Sequence, residues 1–291
     1  MTFTQYHDPK AFYQAVYDTM MRHEAQNILP LGNIMLGNRG TDTEGWRNPA
    51  NWFMATVTDG DALLLTAIMT PPFNLTMYAT DNALDAAAVQ FLIDHMPVPY
   101  PGVTTTKPLA QLFTRLYCEK TGASHEIETD LRLYELESVK PDLLAAVRKP
   151  EYNLRLAEER DMAYLPYWGE GFNLDCFNAP ITITEATADT YRAVINRRNR
   201  YILEHHGVPV TMAGINRELV TVCTIAAVYT PPYFRKKGYA SLCVAAISQI
   251  GLEKGFKKCT LYTDLANPIS NSIYMKIGYK PVSDSLQVKF V

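Results

Sequence analysis

The deciding stretch is Val228-Tyr229-Thr230-Pro231-Pro232, followed closely by Arg235-Lys236-Lys237-Gly238-Tyr239-Ala240. It begins as the end of an apolar strand predicted over 219–229. It then runs through a basic segment into an unbroken helical pattern that reaches 254. A strand that feeds a glycine-containing basic loop at a helix start can hold an anion. The first helical turn leaves backbone N–H groups without intrahelical partners, and the macrodipole adds positive potential there. Gly238 lets the backbone approach a ligand closely, and three successive cations attract a pyrophosphate. A solvated basic helix start has the same pattern, so this segment alone leaves both readings open.

Further on, Asn267-Pro268 starts a second helix, with Asn267 as cap and Pro268 in the first helical position; Gly278 ends it. Asn267, Ser270 and Tyr274 are spaced by three and four, so they share one polar face. Ile273 and Ile277 form the competing apolar face. A tyrosine in such a helix serves packing or chemistry, and the spacing does not choose between them.

Taken in order, four blocks resemble the GNAT acetyltransferase superfamily: Val-Tyr-Thr-Pro-Pro, Arg-x-x-Gly-Tyr-Ala, Leu-Tyr-Thr-Asp, and Asn-Pro-x-Ser-Asn-x-x-Tyr-x-x-x-Gly-Tyr. The Arg-x-x-Gly-Tyr-Ala block is similar to that family's pyrophosphate loop, and the last to its Asn-x-x-Ala/Ser-x-x-x-Tyr helix. The resemblance is clear over 228–281 and extends by element order over 151–291. It implies an N-acetyltransferase that uses acetyl-CoA as co-substrate, without a metal. Val228, Tyr229 and Thr230 would offer backbone groups to the pantetheine arm. The backbone of Arg235, Lys236, Lys237, Gly238, Tyr239 and Ala240 would cradle the pyrophosphate. Asn267, Ser270 and Asn271 would line the other wall. Tyr274 would be the general acid for the departing thiolate, a task that needs a neutral donor. A backbone N–H near the end of the strand would polarise the acetyl carbonyl.

The acceptor amine must be neutral to attack, so a base or a water chain is expected. The strand over 219–229 carries no Asp or Glu. The nearby candidates are Glu204, His205, His206 and Glu218, each equally readable as a surface residue. Cys223 lies on the strand, but no His stands beside it in sequence, so a covalent route is not suggested. The acceptor expected by class is a small-molecule amine or an amino-acid-type molecule. Two rivals remain: an acyl-CoA-binding regulator without turnover, and an acyltransferase using a longer acyl-CoA.

Outward from this region, the chain reads as mixed α/β. Asp8-Pro9 opens a first helix with Phe12, Val16 and Met20 on one face, expected to run to about 26. A loop-rich stretch is expected over 38–49. Strands are expected over 52–57 and 63–69 about Asp59-Gly60, and over 75–79. Helices are expected over 82–95 and 109–120, and a strand over 127–136. After a proline-marked boundary at 137–151, a comparable order begins again. Helices are expected over 187–200, 235–254 and 269–277; strands over 154–157, 201–204, 208–213, 219–229, 259–263 and 286–290. This order suits two GNAT-like domains, each a central mixed, largely antiparallel sheet flanked by helices, at 1–140 and 151–291. Two unrelated α+β domains fit the order equally well. In the first half, Thr80-Asp81-Asn82-Ala83-Leu84-Asp85 stands where a pyrophosphate loop would follow the strand. It has no Gly, Lys or Arg, and two aspartates repel phosphate. The first half is therefore expected to be a degenerate copy that packs on the second and closes its acceptor pocket. Tyr164, Tyr167, Trp168, Phe172 and Phe177 line that pocket or form an interface core.

Composition agrees with a soluble globular chain. Of 291 residues, 47% are hydrophobic and 20% charged, and 27 Lys+Arg stand against 30 Asp+Glu for a net charge of −3. That balance gives no global case for nucleic acid or an anionic membrane. The polar N-terminal stretch does not read as a signal peptide, and no apolar run reaches the ~20 residues of a membrane span. The five cysteines, Cys118, Cys176, Cys223, Cys243 and Cys259, form no CxxC pair. They read as reduced thiols in a cytoplasmic protein, a monomer or homodimer.

Overall fold

The computed structural model describes residues 1–39, 47–97 and 99–291. Through the first half run β1 (Thr2–Tyr6), α1 (Pro9–Met21), α2 (Ile28–Arg39), β2 (Phe53–Asp59), β3 (Ala62–Met69), β4 (Leu75–Ala79), α3 (Ala86–His95), β5 (Gly102–Thr106), α4 (Lys107–Thr121) and β6 (His125–Leu136). There follow α5 (Pro141–Val147), β7 (Tyr152–Leu156), α6 (Leu165–Phe177), α7 (Ile183–Tyr191), β8 (Arg200–His205), β9 (Val208–Glu218), β10 (Val222–Tyr229), α8 (Tyr239–Glu253), β11 (Lys258–Asp264), α9 (Pro268–Ile277) and β12 (Lys280–Phe290). Among the described residues no helix is long and apolar enough to cross a membrane.

The chain divides into two compact units: residues 1–133, 262–267 and 281–291, and residues 134–261 and 268–280. In the first, the strand order is β1-β2-β3-β4-β5-β12. All neighbours there are antiparallel except β4 and β5, which are parallel and pair only at Leu75–Val103 and Thr76–Thr104. The last strand of the chain thus completes the first unit. In the second unit the order is β11-β10-β9-β8-β7, antiparallel except for the parallel pair β10–β11. Each unit therefore carries an antiparallel run, a helix, and a parallel strand, in the same order.

Local signals explain most elements. The Asp8 carboxylate accepts from the Lys10 amide at 3.0 Å and Pro9 fits the first turn, so α1 starts there and buries Phe12, Val16 and Met20. Gly60, at φ 54°, closes the β2–β3 turn. Core side chains of β2 to β5, α3, α4 and β12 form one cluster in the first unit. The core of the second unit is built on α8, whose Cys243, Val244, Ala245 and Ile247 are wholly buried. A helix apolar on nearly all sides must lie inside, and each buried Val or Ile there contributes about 1.5–3 kcal/mol.

The structure departs from the sequence expectations in several places; α1 ends at Met21 rather than near 26, and β12 begins at Lys280 rather than at 286. β1 is an additional strand; it is half-exposed and its polar residues suit the sheet edge it occupies beside β2. α2 is an additional helix that reaches only the first two residues of the stretch expected as loop; of the remainder, 40–46 lie outside the described residues and Pro49 opens a short helical turn. Pro30, Gly32 and Gly37 interrupt its helical pattern in the sequence, although Pro30 sits in the first turn, where a missing N–H costs nothing. The helix expected over 187–200 starts earlier, at a Thr182–Glu185 capping box, and ends at Tyr191, followed by a π-turn. The strand expected from 219 begins at Val222, because the Leu219 amide closes a turn on the Val222 carbonyl at 2.9 Å.

Candidate active site

The site is built on β10. Its parallel pairing with β11 stops at Thr224–Thr260. From Ile225 onward its recorded pairing is with β9 alone, and the register shifts between Ala226 and Tyr229. Ala227 occupies the bulge at φ 52°. A side-chain-bearing residue in the left-handed region costs about 1–3 kcal/mol, and such positions cluster at functional sites. The bulge turns backbone groups out of the ladder beside the opening where the parallel strands part. Beyond it, Thr211 Oγ1 donates to the Tyr229 carbonyl and meets Thr230 Oγ1, both at 2.8 Å. Arg235 Nε donates to the Thr230 carbonyl at 2.9 Å. One acceptor site on each of the Tyr229 and Thr230 carbonyls is thus already filled.

The basic loop follows. Arg235 turns back on the strand: its guanidinium pairs with Asp175 of α6 and lies over the Tyr229 ring. Lys236 and Lys237 are exposed. Lys236 adopts φ 63° and Gly238 φ 82°. Gly238 is the N-cap of α8, with no side-chain cap, and a Cβ there would meet nothing within 4 Å. The glycine is required by backbone conformation, and the space beside it is open. The first turn of α8 therefore presents uncapped N–H groups to that space. The Tyr239 side chain points the other way, meeting His205 Nδ1 at 3.0 Å; only its backbone belongs to the loop.

On α9 the inward residues are Asn271, Tyr274 and Ile277. Tyr274 is 8% exposed. Burial, reinforced by the Cys176 thiol, holds its phenol well above the ordinary tyrosine range. It therefore stays protonated, as a donor. The Tyr134 hydroxyl donates to Asn271 Oδ1 at 2.8 Å, beside the Tyr274 ring. Ser270 is half-buried, one turn before Tyr274. Asn267 directly precedes α9 and counts with the first unit. Asn271 and Tyr274, not Asn267 and Ser270, thus form the buried polar part of the face.

Three of the four base candidates already have polar partners. Burial alone would raise the Glu204 carboxyl, but hydrogen bonds from Asn153 and Arg155 outweigh it and hold it below its usual value. Arg155 is also paired bidentately with buried Asp161, at 2.6 and 2.8 Å. Glu218 pairs with Lys254 at 3.0 Å, at the end of β10 away from the bulge. His205 and His206 sit at the β8–β9 turn, His205 packed on Tyr152 and Tyr239. Among the described residues no cluster of three or more His, Cys, Asp or Glu could hold a metal.

Beside the bulge lies a cavity of about 220 Å³, lined by Leu165, Gly169, Phe172, Met212, Ala227 and Arg200 among others. Of the aromatic residues expected there, Phe172 lines it, Trp168 packs on Tyr164 and Tyr229, and Tyr167 and Phe177 are exposed. Sequence reasoning did not single out Arg200, Thr211 or Asp175. The cluster Arg197-Arg198-Asn199-Arg200 was the available signal, but it fell at the end of an expected helix.

Parted parallel strands, a bulge, an uncapped helix start and a buried phenol all belong to the second unit, a mixed α/β arrangement whose element order recurs in the first. Residues 165–279 match the profile of the acetyltransferase (GNAT) family. The solved structures extend the fold to both units. The chain is similar to a GCN5-related N-acetyltransferase from Sphaerobacter thermophilus, with TM-score 0.61 and 12% identity over 99% of this chain and 95% of that one. A GNAT-family acetyltransferase from Colwellia psychrerythraea aligns with TM-score 0.58 and 11% identity, over 100% and 99%. A tandem GNAT protein from the clavulanic acid biosynthesis pathway aligns with TM-score 0.56 and 11% identity, over 100% and 98%. No curated protein matches the sequence.

Proposed function

We propose that the second unit is an acetyl-CoA-dependent N-acetyltransferase that works in the cytoplasm on the amine of a small-molecule or amino-acid-type acceptor. The observation that carries the reading is Gly238: a left-handed, uncapped N-cap opening α8 directly after a bulged strand parted from its parallel neighbour. The residues fit the co-substrate. The N–H groups from Lys236 to Ala240 would hold the pyrophosphate, and Lys236 and Lys237 would add attraction from solvent. Val228 to Thr230 would run beside the pantetheine arm, with Ser270 and Asn271 on the α9 side and Asn267 at its start. A backbone N–H freed by the Ala227 bulge would polarise the thioester carbonyl.

The amine nitrogen would attack that carbonyl carbon. The new C–N bond forms as the C–S bond breaks, the amine gives up a proton, and the thiolate takes one from Tyr274. The raised pKa of Tyr274 suits this role, since the donor must be protonated until sulfur leaves. The one carboxylate lining the cavity, Asp189, is paired with Arg192, so the reading has water carry the amine's proton away.

The test is thiol release from acetyl-CoA over a panel of amines, with CoA affinity measured by calorimetry. Amine-dependent release with stoichiometric N-acetyl product is expected. Tight CoA binding with no release on any amine would instead favour a regulator, and preference for longer acyl-CoAs a different acyltransferase.

A further inference from the structure

Arg200 is the charged group that the proposed chemistry leaves unused. It begins β8, opposite Gly214 of β9, which in turn faces Ala226 of β10. It therefore stands on the sheet row of the bulge. Its Nη1 donates to the Ala227 carbonyl at 3.2 Å. Gly214 is set by its backbone neighbour, since a Cβ there would lie 2.9 Å from the Asn199 carbonyl; it would meet Nη1 only at an ordinary 3.5 Å. The guanidinium lines the 220 Å³ cavity with mostly apolar neighbours. Among the described residues it forms no ion pair. Asp189, the carboxylate on the same cavity wall, pairs with Arg192. Arg192 and Asp189 are the other charged residues that α7 and its π-turn bring to this region; Cys243 faces it from α8. Desolvation is strong enough to push the Arg200 guanidinium down to about 10. A desolvated cation without a counter-charge is costly to keep, and its five donors form a fork matched to a carboxylate.

We infer that Arg200 is the specificity-determining anchor for a carboxylate on the acceptor, which makes the acceptor an amino acid or a similar amino-carboxylic acid. This rests on the acetyltransferase reading above. A carboxylate bound on the free edge of the fork places an α-amino group beside the bulge, where the acetyl carbonyl is expected. The cavity is smaller than the ~300–1,000 Å³ typical of drug-sized ligands, which suits a small metabolite.

The test uses the full chain saturated with CoA or acetyl-CoA. The probes are matched pairs: glycine against methylamine, L-alanine against ethylamine, L-phenylalanine against phenethylamine, L-lysine against 1,5-diaminopentane. Thermal shift in the CoA complex and thiol release with acetyl-CoA are read for the wild type, Arg200→Lys and Arg200→Met. At least one acid is expected to outperform its amine by roughly 10- to 150-fold in affinity or kcat/KM, the range for hydrogen bonds to a charged group. Arg200→Met should abolish that ratio and leave CoA affinity unchanged; Arg200→Lys should recover part of it, as a point charge without the fork. A purely structural role would lower stability without moving the ratio. Equal response, or none, to acids and amines in the wild type overturns the inference, as does an unchanged ratio in Arg200→Met. The wild-type comparison stands even if the variants do not fold. Failure of CoA binding itself would overturn the acetyltransferase reading instead, and calorimetry reports that separately.

Discussion

Replacing Gly238 by glutamate, with glutamine as its neutral twin, isolates the charge at the start of α8. Both side chains incur the same backbone penalty, because φ is 82°, and the left-handed region costs an L-residue roughly 1–2 kcal/mol. Both find open space, since a Cβ there meets nothing within 4 Å. They differ only in charge. With the new carboxylate about 6 Å from a pyrophosphate, one pair of unit charges repels by roughly 0.7–2.8 kcal/mol at effective dielectrics of 80 to 20. Two phosphate charges double that, and screening at physiological ionic strength about halves it again. The glutamate variant should therefore bind CoA roughly 3- to 100-fold more weakly than the glutamine variant, and the gap should widen at low salt. Both should melt a few degrees below wild type, by similar amounts. Calorimetry with CoA, and with pantetheine as a phosphate-free control, reads the difference. Pantetheine affinity should be alike in the two variants. If the two bind CoA equally at low salt, the pyrophosphate does not lie at this loop and the site assignment fails.

Four further expectations follow from the same geometry. Tyr274→Phe should lower kcat by about 10²–10⁴, the usual worth of a positioned acid, with CoA affinity within twofold; full activity would remove Tyr274 from the mechanism. Asp161 is 2% exposed, and although burial raises its carboxyl, bonds from Arg155, the Glu158 amide and Tyr164 hold it down to about 2. Its folded pKa lies below the unfolded value, so its contribution of about 2 kcal/mol is present above pH ~4 and lost as pH falls toward 2. Asp161→Asn should flatten the acid limb of a melting-temperature profile, and an unchanged limb would refute this. Cys176 is exposed, while desolvation and Asp175, offset in part by Arg235, push its thiol up to about 11, so at pH 7.5 it should be open to alkylation yet react more slowly than a free cysteine; mass spectrometry of a labelling time course checks this. Calorimetry should count one CoA per chain, and a stoichiometry of two would refute the reading of the first unit given below.

What was legible in the sequence was what local chemistry encodes. The Gly238 loop, the Asp8-Pro9 and Asn267-Pro268 helix starts, and the Asp59-Gly60 turn each rest on backbone preferences of a few adjacent residues. The structure places elements at all four. What stayed hidden depends on partners distant in sequence. Arg235 looked like a phosphate ligand, yet its side chain is held by Asp175 and the Thr230 carbonyl. Arg200 looked like a helix end, yet a capping box at Thr182 shifts the helix toward the N-terminus and leaves Arg200 to open a strand. The Asn267–Ser270–Tyr274 spacing singled out one face of α9, but Tyr134, far upstream, meets Asn271, which with Tyr274 forms the buried polar part of that helix. The last strand read as part of the second half, and only long-range pairing with β5 places it in the first unit.

The two units also differ at the helix start of one strand–helix–strand arrangement, where the anion site is proposed in the second. In the first unit, β4 and β5 are parallel and pair over only two residues before parting, as β10 and β11 do after three. The helix between β4 and β5 is α3, and its N-cap is Asp85, whose carboxylate accepts from the Ala87 and Ala88 amides at 2.8 and 3.1 Å. Those are the donors a phosphate would need, and they are already satisfied by a negative charge. The preceding Asp81 adds a second negative charge and holds Arg22 in an ion pair at 3.0 Å. At α8 the corresponding position is a glycine without a side chain, flanked by exposed lysines. The parted strands alone are therefore common to both units, and the identity of a single cap residue decides whether the helix start is closed by its own chain or left open to a ligand.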